Sequence, residues 1–184
     1  MTKTTSGFTL VELTIVIVVI GIIAAISYVS YSSVQVRTNN SNRASQLQAW
    51  KSVFERYKAK NGTVPFPTTT DGTGFCLGTT GFPNGFDGVP RCRDAWSNST
   101  TSLKVSDNAA LMTELQTVVP TLPSSQNIAV NGTVGPYVYY ATNSNYIRIQ
   151  GAFEGSSTND CPSFTTERWY SGNKLIVCTV TVKF

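Results

Sequence analysis

The chain has 184 residues and a mass of 19.9 kDa, a size that favours one globular domain with one extended element. Lys and Arg number 14 against 10 Asp and Glu, which gives a formal charge of +4. This basic excess is too small and too dispersed to indicate a nucleic-acid-binding protein. The sequence contains no histidine, so the commonest metal ligand and the commonest general base are both missing, which disfavours an enzyme.

An apolar segment follows a short polar leader at residues 1–7. No charged residue occurs from 13 to 36, and residues 13–26 read LTIVIVVIGIIAAI. A helix rises about 1.5 Å per residue, so some 20 such residues cross a hydrocarbon layer of about 30 Å. We therefore predict a transmembrane or filament-core helix at 8–36, with its leader on the cytoplasmic side. A buried core helix is disfavoured because the rest of the chain lacks the partner helices that it requires.

Glu12 lies at the start of the apolar segment. A secretory signal peptide cleaved near Ala25–Ser27 is an alternative, but a charge in such a segment costs roughly 2.5–3.5 kcal/mol. The helical pattern also continues to Lys60, which a discarded signal does not need. A buried carboxylate requires a partner. Cleavage after Gly7 would create an amine at Phe8, one helical turn from Glu12, and the pair can form within one chain or between two chains.

Residues 7–12 read GFTLVE, and with the apolar run that follows they resemble the cleavage and methylation motif of type IV prepilins and pseudopilins. The resemblance implies that a prepilin peptidase cleaves between Gly7 and Phe8 and methylates the new amine of Phe8. It also implies that Glu12 pairs with the N-terminus of an adjacent subunit. Tyr31 matches a tyrosine common in the family. Val29 stands where many members carry a helix-kinking proline, which leaves helix melting during assembly open.

The helix is predicted to continue through 37–60 as an amphipathic segment. Apolar residues recur there at helical spacing, and we expect this stripe to pack on a sheet: Leu47, Trp50, Val53, Phe54 and Tyr57. Asn61–Gly62 is a typical helix end. Six basic residues oppose only Glu55 and indicate a solvated or headgroup-facing surface, with a DNA-contacting strip less favoured: Arg37, Arg43, Lys51, Arg56, Lys58 and Lys60.

Residues 61–184 are predicted to form a globular head. A long loop at 61–106 carries aromatic residues expected to pack beneath it: Phe75, Phe82, Phe86 and Trp96. A short helix follows at 107–119, capped by Ser106 or Asp107.

An antiparallel sheet of three to five strands then occupies 127–184. Its strands are expected at 137–141, 146–153 and 175–184, with turns at 143–145 and 171–173. Alternation in the last strand predicts that Cys178 faces the core and that Val177 and Thr179 face outward.

Four cysteines lie in the head: Cys76, Cys92, Cys161 and Cys178. Three pairings are possible, and nearest-neighbour disulfides are favoured because each closes a short loop worth about 3 kcal/mol. A zinc site is disfavoured because no CxxC spacing and no histidine is present. Disulfides agree with a head outside the cytoplasm.

The predicted fold is α+β: a long N-terminal helix whose C-terminal half packs on an antiparallel sheet, as the pilin ladle does. We expect a structural subunit of an extracellular type IV pilus-like filament, not an enzyme, with no catalytic residue, cofactor or metal. The resemblance implies single-pass residence in the inner membrane before assembly, then a place in a surface filament serving adhesion or twitching motility. Implied partners are like subunits, the prepilin peptidase, the assembly platform with its ATPase motor, and a surface or DNA ligand.

Two alternatives stay open. One is a minor pilin, or a pseudopilin of a type II secretion or DNA-uptake machine. The other is a membrane-tethered adhesion domain that does not polymerise.

Overall fold

The computed structural model describes residues 7, 9–78, 82, 88–93, 105–125, 128–129, 133–172 and 174–184. Two compact units are found, 1–39 and 40–184. The first α-helix, α1, runs over Leu10–Asn61. It ends where expected, because Gly62 adopts φ +78° and its N–H donates to the Lys58 carbonyl at 2.8 Å.

The described residues of the second unit form a short helix, α2 (Ala109–Gln116), and nine strands. The strands are β1 (Gly74–Cys76), β2 (Arg91–Arg93), β3 (Val105–Ser106), β4 (Ile128–Ala129), β5 (Thr133–Val134), β6 (Tyr137–Ala141), β7 (Tyr146–Glu154), β8 (Glu167–Gly172) and β9 (Leu175–Lys183).

The strands form two antiparallel sheets. The larger has five strands in the order β1-β6-β7-β9-β8, and the smaller has the order β3-β2-β5-β4. The predicted turn at 143–145 joins β6 to β7 through a 3₁₀ turn, and Asn145 takes the left-handed conformation at φ +56°. The α+β class and a main sheet of three to five strands are therefore confirmed.

The main core lies between the second half of α1 and one face of the larger sheet. The predicted stripe is buried: Leu47, Trp50, Val53, Phe54 and Tyr57 are each at most 8% exposed. They pack in one cluster with Ile149 and Cys178 of the sheet. The helix approaches β7 closely at Gly151, where an added Cβ would lie 3.7 Å from Leu47 Cδ1. The N-terminal helix thus packs on an antiparallel sheet, an arrangement consistent with a pilin-like fold.

A second core covers the other face of the larger sheet, and it corrects one prediction. Val177 and Thr179 are fully buried rather than exposed. Val177 packs in a separate cluster with Phe82, Tyr137, Cys76 and Cys92. The smaller sheet covers this face. The alternating residues of β9 therefore lie on two buried faces of the larger sheet, not on one buried and one solvent-exposed face.

The predicted long loop at 61–106 is in part strand. It contains β1, β2 and β3, each of two or three residues, too short to show alternation in sequence. The expected aromatic packing is found at Phe75 and Phe82, whereas Phe86 and Trp96 lie outside the described residues.

The short helix is also shorter than predicted, at 109–116 rather than 107–119. Its N-cap is Asn108, whose Oδ1 accepts the Leu111 N–H at 3.0 Å. Ser106 is not the cap because it belongs to β3 and pairs with Arg91. The helix ends at Thr117, whose hydroxyl donates to the Glu114 carbonyl at 2.7 Å.

Two further differences concern the sheet edges. Strand β8 was not foreseen; it pairs with β9 across the predicted turn at 171–173, of which Asn173 lies outside the described residues. The predicted strands at 146–153 and 175–184 run over 146–154 and 175–183.

Candidate functional site

The predicted processing and assembly residues lie at the start of α1. Gly7 is exposed, and an added Cβ there would meet no described atom within 4 Å. The described part of the fold therefore places no steric demand for glycine at position 7. Phe8, the predicted new N-terminus and methylation site, lies outside the described residues. The helix starts at Leu10 rather than at Phe8 as predicted.

Thr9 and Glu12 form a reciprocal cap at the helix start. The Glu12 carboxylate oxygen Oε2 accepts the Thr9 main-chain N–H and the Thr9 hydroxyl, both at 2.8 Å. In return, the Glu12 N–H donates to Thr9 Oγ1 at 3.2 Å. This is a capping box.

Sequence reasoning missed this contact, although its signal is present as Thr-x-x-Glu directly before an apolar run. The sequence analysis interpreted Glu12 by its charge alone. The Thr9 N–H that Glu12 accepts is the amide next to Phe8 in the chain.

The helix beyond the cap is apolar on every side. Its large side chains are between 47% and 79% exposed: Leu10, Val11, Leu13, Ile15, Val16, Ile17, Val18, Val19, Ile20, Ile22, Ile23 and Ile26. Six successive residues of an α-helix point in all directions around its axis, and every one of residues 15–20 is on this list. Apolar surface of this extent requires lipid or other helices to cover it.

The sequence analysis predicts that a helix at 8–36 spans a membrane. Among the described residues, no helix meets the combined requirement of length and apolar character for crossing a bilayer.

The predicted basic surface of α1 is partly neutralised. Arg43 Nη1 lies 3.3 Å from Glu154 Oε1, with the arginine side chain 10% exposed. Burial lowers the pKa of Arg43, and the Glu154 carboxylate acts in the opposite direction. Lys51 pairs with Glu55 at 3.4 Å, and Lys60 donates to the Thr117 carbonyl at 3.0 Å. The sequence showed only Glu55 opposite these cations because Glu154 comes from β7, over 100 residues later.

Both disulfides join nearest neighbours along the chain. Cys76 is bonded to Cys92 and Cys161 to Cys178, with Cα–Cα distances of 5.5 and 5.7 Å. All four sulfurs are therefore used in disulfides and are not available as zinc ligands. The first bond joins β1 of the larger sheet to β2 of the smaller one, and the second joins the segment before β8 to the middle of β9.

Residues 2–28 match the family model described as the prokaryotic N-terminal methylation motif, the leader signature of type IV prepilins. The matched range includes Gly7, Phe8 and Glu12. No curated protein and no solved structure gives a significant match to the chain.

Proposed function

We propose that the chain is a structural subunit of an extracellular type IV pilus-like filament, processed by a prepilin peptidase and polymerised through its N-terminal helix. The leader signature at residues 2–28 carries this proposal. Cleavage would fall between Gly7 and Phe8, and methylation on the amine of Phe8. Membrane insertion before assembly follows from the same signature. The role is one of assembly rather than catalysis.

The surface of α1 supports polymerisation. Twelve large apolar side chains between 10 and 26 are about half exposed or more. In a filament, neighbouring helices would cover them, and packing between helices would replace contacts with lipid. The disulfide-bonded head supports a destination outside the cytoplasm, where such bonds persist.

Glu12 supports the assembly step. A carboxylate among apolar helices is costly unless a cation pairs with it. Cleavage after Gly7 supplies an amine, and each subunit entering the filament would place its own amine near the Glu12 of a neighbour. The capping box holds this carboxylate in one position before assembly, so its charge and its capping role must be separated experimentally.

Three variants separate them. Glu12→Gln removes the charge but keeps an N3 side chain that can complete the capping box. Glu12→Ala removes both, and Thr9→Ala removes the capping hydroxyl while keeping the charge. We expect Glu12→Gln and Glu12→Ala to lower the yield of sheared filaments by about tenfold or more, because each loses an ion pair at every contact. Thr9→Ala should assemble nearly as well as the wild type.

Equal amounts of processed protein in the membrane fraction provide the control. Wild-type filament yield from Glu12→Gln would refute a role for the charge. Filament abundance also distinguishes the related roles: a major pilin dominates the sheared filaments, whereas a minor pilin or pseudopilin is rare in them. A tethered adhesion domain gives no crosslinks between residues near Phe8 of adjacent copies.

A further inference from the structure

The edge of β7 that faces β6 has a gap in its main-chain pairing. Gln150 of β7 is opposite Tyr137, which is the first residue of β6, so the ladder between the two strands ends there. Further along the same strand, the N–H and C=O of Glu154 bond to the side chain of Asn40. Ala152 lies between these two paired positions and is 4% exposed.

The direction of the Ala152 main-chain groups follows from its neighbours. In an antiparallel sheet, successive residues of a strand direct their N–H and C=O groups to opposite edges. The Gly155 N–H donates to the Lys174 carbonyl at 2.8 Å, on the β9 side, whereas Glu154 bonds to Asn40 on the other edge. Ala152 has the same parity as Glu154. Its N–H and C=O are therefore directed away from β9.

The residues that precede β6 do not complete the ladder at Ala152. The Gly135 N–H donates to the Cys92 carbonyl at 2.6 Å, and the Pro136 carbonyl accepts the Leu77 N–H at 2.9 Å. Proline has no N–H to donate. Within the described part of the chain, no hydrogen bond joins Ala152 to either of these residues on this edge.

A nitrogen of Arg43 is also buried without a protein partner. Nη1 of this guanidinium bonds to Asn40 and Glu154, but Nε makes no hydrogen bond to the described residues. The Arg43 side chain is nine-tenths buried. A buried N–H without a partner is costly, and in folded proteins such groups are nearly always bonded either to protein or to a held water molecule.

Arg43 and Ala152 line one small cavity between α1 and β7. Its volume is about 10 Å³, and its walls are formed by Arg43, Gln46, Leu47, Pro136, Gly151 and Ala152. A cavity of roughly this volume holds one water molecule, provided that two to four polar groups are within its reach. A larger ligand does not fit.

We propose that this cavity binds one water molecule, which links α1 to β7. The water accepts hydrogen bonds from Arg43 Nε and from the Ala152 N–H, and it donates one to the Ala152 carbonyl. Three such bonds are typical of a structural water. The water thus continues the β7 ladder between its pairing with β6 and its pairing with Asn40. This site does not depend on whether the chain polymerises.

Magnetisation transfer from water to amide protons, measured by nuclear magnetic resonance on the isotope-labelled full-length protein in detergent, tests the proposal. The Ala152 N–H should give a cross peak to water in both the laboratory-frame and the rotating-frame experiment. Opposite signs in the two experiments indicate a held water, whereas equal signs indicate proton exchange and would overturn the proposal. The Gln150 and Glu154 amides are internal controls on the same edge and should give no such peak.

Two variants test the part played by Arg43. Arg43→Met keeps an unbranched side chain without any N–H, and it should weaken the Ala152 cross peak severalfold. Arg56→Met is the matched control, because Arg56 is an exposed arginine of the same helix. It should leave the peak unchanged. The amide spectrum of each variant shows whether it is folded, and the comparison of the three wild-type amides tests the proposal without any variant.

Two results would overturn the proposal. One is a wild-type protein in which Ala152 gives no water cross peak, or gives one no stronger than those of Gln150 and Glu154. The other is a folded Arg43→Met variant with the full wild-type peak, since the water would then not be held by Arg43.

Discussion

The side chain of Asn40 provides a quantitative test of how α1 is held to the larger sheet. Asn40 is the first residue of the second unit. Its Nδ2 donates to the Glu154 carbonyl at 2.7 Å, and its Oδ1 accepts the Glu154 N–H at 3.0 Å. Arg43 Nη1 also donates to Asn40 Oδ1 at 3.2 Å. One amide thus pairs with both main-chain groups of the last residue of β7.

Replacing Asn40 by alanine removes both main-chain bonds. At about 1 kcal/mol for each bond, the loss is about 2 kcal/mol. Alanine is the better helix former by roughly 0.5 kcal/mol, which offsets part of this loss. The expected net decrease in the free energy of unfolding is therefore about 1.5 kcal/mol.

The matched control is Ser41→Ala, one residue further along the same helix. Ser41 is exposed, so this change should bring the helix-propensity gain alone and stabilise the protein slightly. The two substitutions introduce the same residue in the same turn and are predicted to act with opposite signs. Urea unfolding followed by tryptophan fluorescence, to which the fully buried Trp50 contributes, measures both. An Asn40→Ala variant as stable as Ser41→Ala would refute the assigned role of these bonds.

Two further predictions concern processing and alkaline stability. The Gly7→Leu variant should retain its leader, as measured by mass spectrometry, although position 7 has room for a side chain. The control variant Gly21→Leu, also at an open position, should be processed normally. A processed Gly7→Leu variant would refute the predicted cleavage site. The hydrogen bond to Glu114, at 2.6 Å, raises the pKa of Tyr57 to about 12. An unfolded tyrosine titrates near 10, so this stabilisation is complete below about pH 10 and is lost as the pH rises through about 12. Urea unfolding across this range should show a shallower loss of stability in Tyr57→Phe than in the wild type, and equal slopes would contradict the assignment.

Local patterns predicted those parts of the fold that depend on neighbouring residues. The stripe from Leu47 to Tyr57 repeats at helical spacing, so its buried face was readable without the structure. Asn61–Gly62 is a residue pair typical of a helix end, and the Asn-rich segment at 143–145 is typical of a hairpin turn.

Features that depend on distant contacts were not predictable from the sequence. The smaller sheet consists of strands two or three residues long. A disulfide between Cys76 and Cys92 joins it to the larger sheet, and residues of both sheets share one buried cluster. The partner of Arg43 is separated from it by 111 residues.

The candidate processing residues, in contrast, were predicted from a short local motif. Gly7, Phe8 and Glu12 were predicted from a motif of six residues, because a peptidase reads a local sequence rather than a fold. The cap formed by Thr9 is equally local, and Thr-x-x-Glu is its sequence signal. The same carboxylate therefore carries both a charge and a capping role, of which the sequence analysis predicted only the charge.

The intact mass of the native protein, measured without reductant, tests the central claim most directly. A processed pilin subunit is predicted to have the mass of residues 8–184 plus one CH₂ unit, because a methyl group replaces one amine hydrogen, less the four hydrogens lost in forming the two disulfides. A mass that still includes the residues from Met1, or that begins near residue 28, would contradict processing at Gly7–Phe8 and, with it, assembly through Glu12.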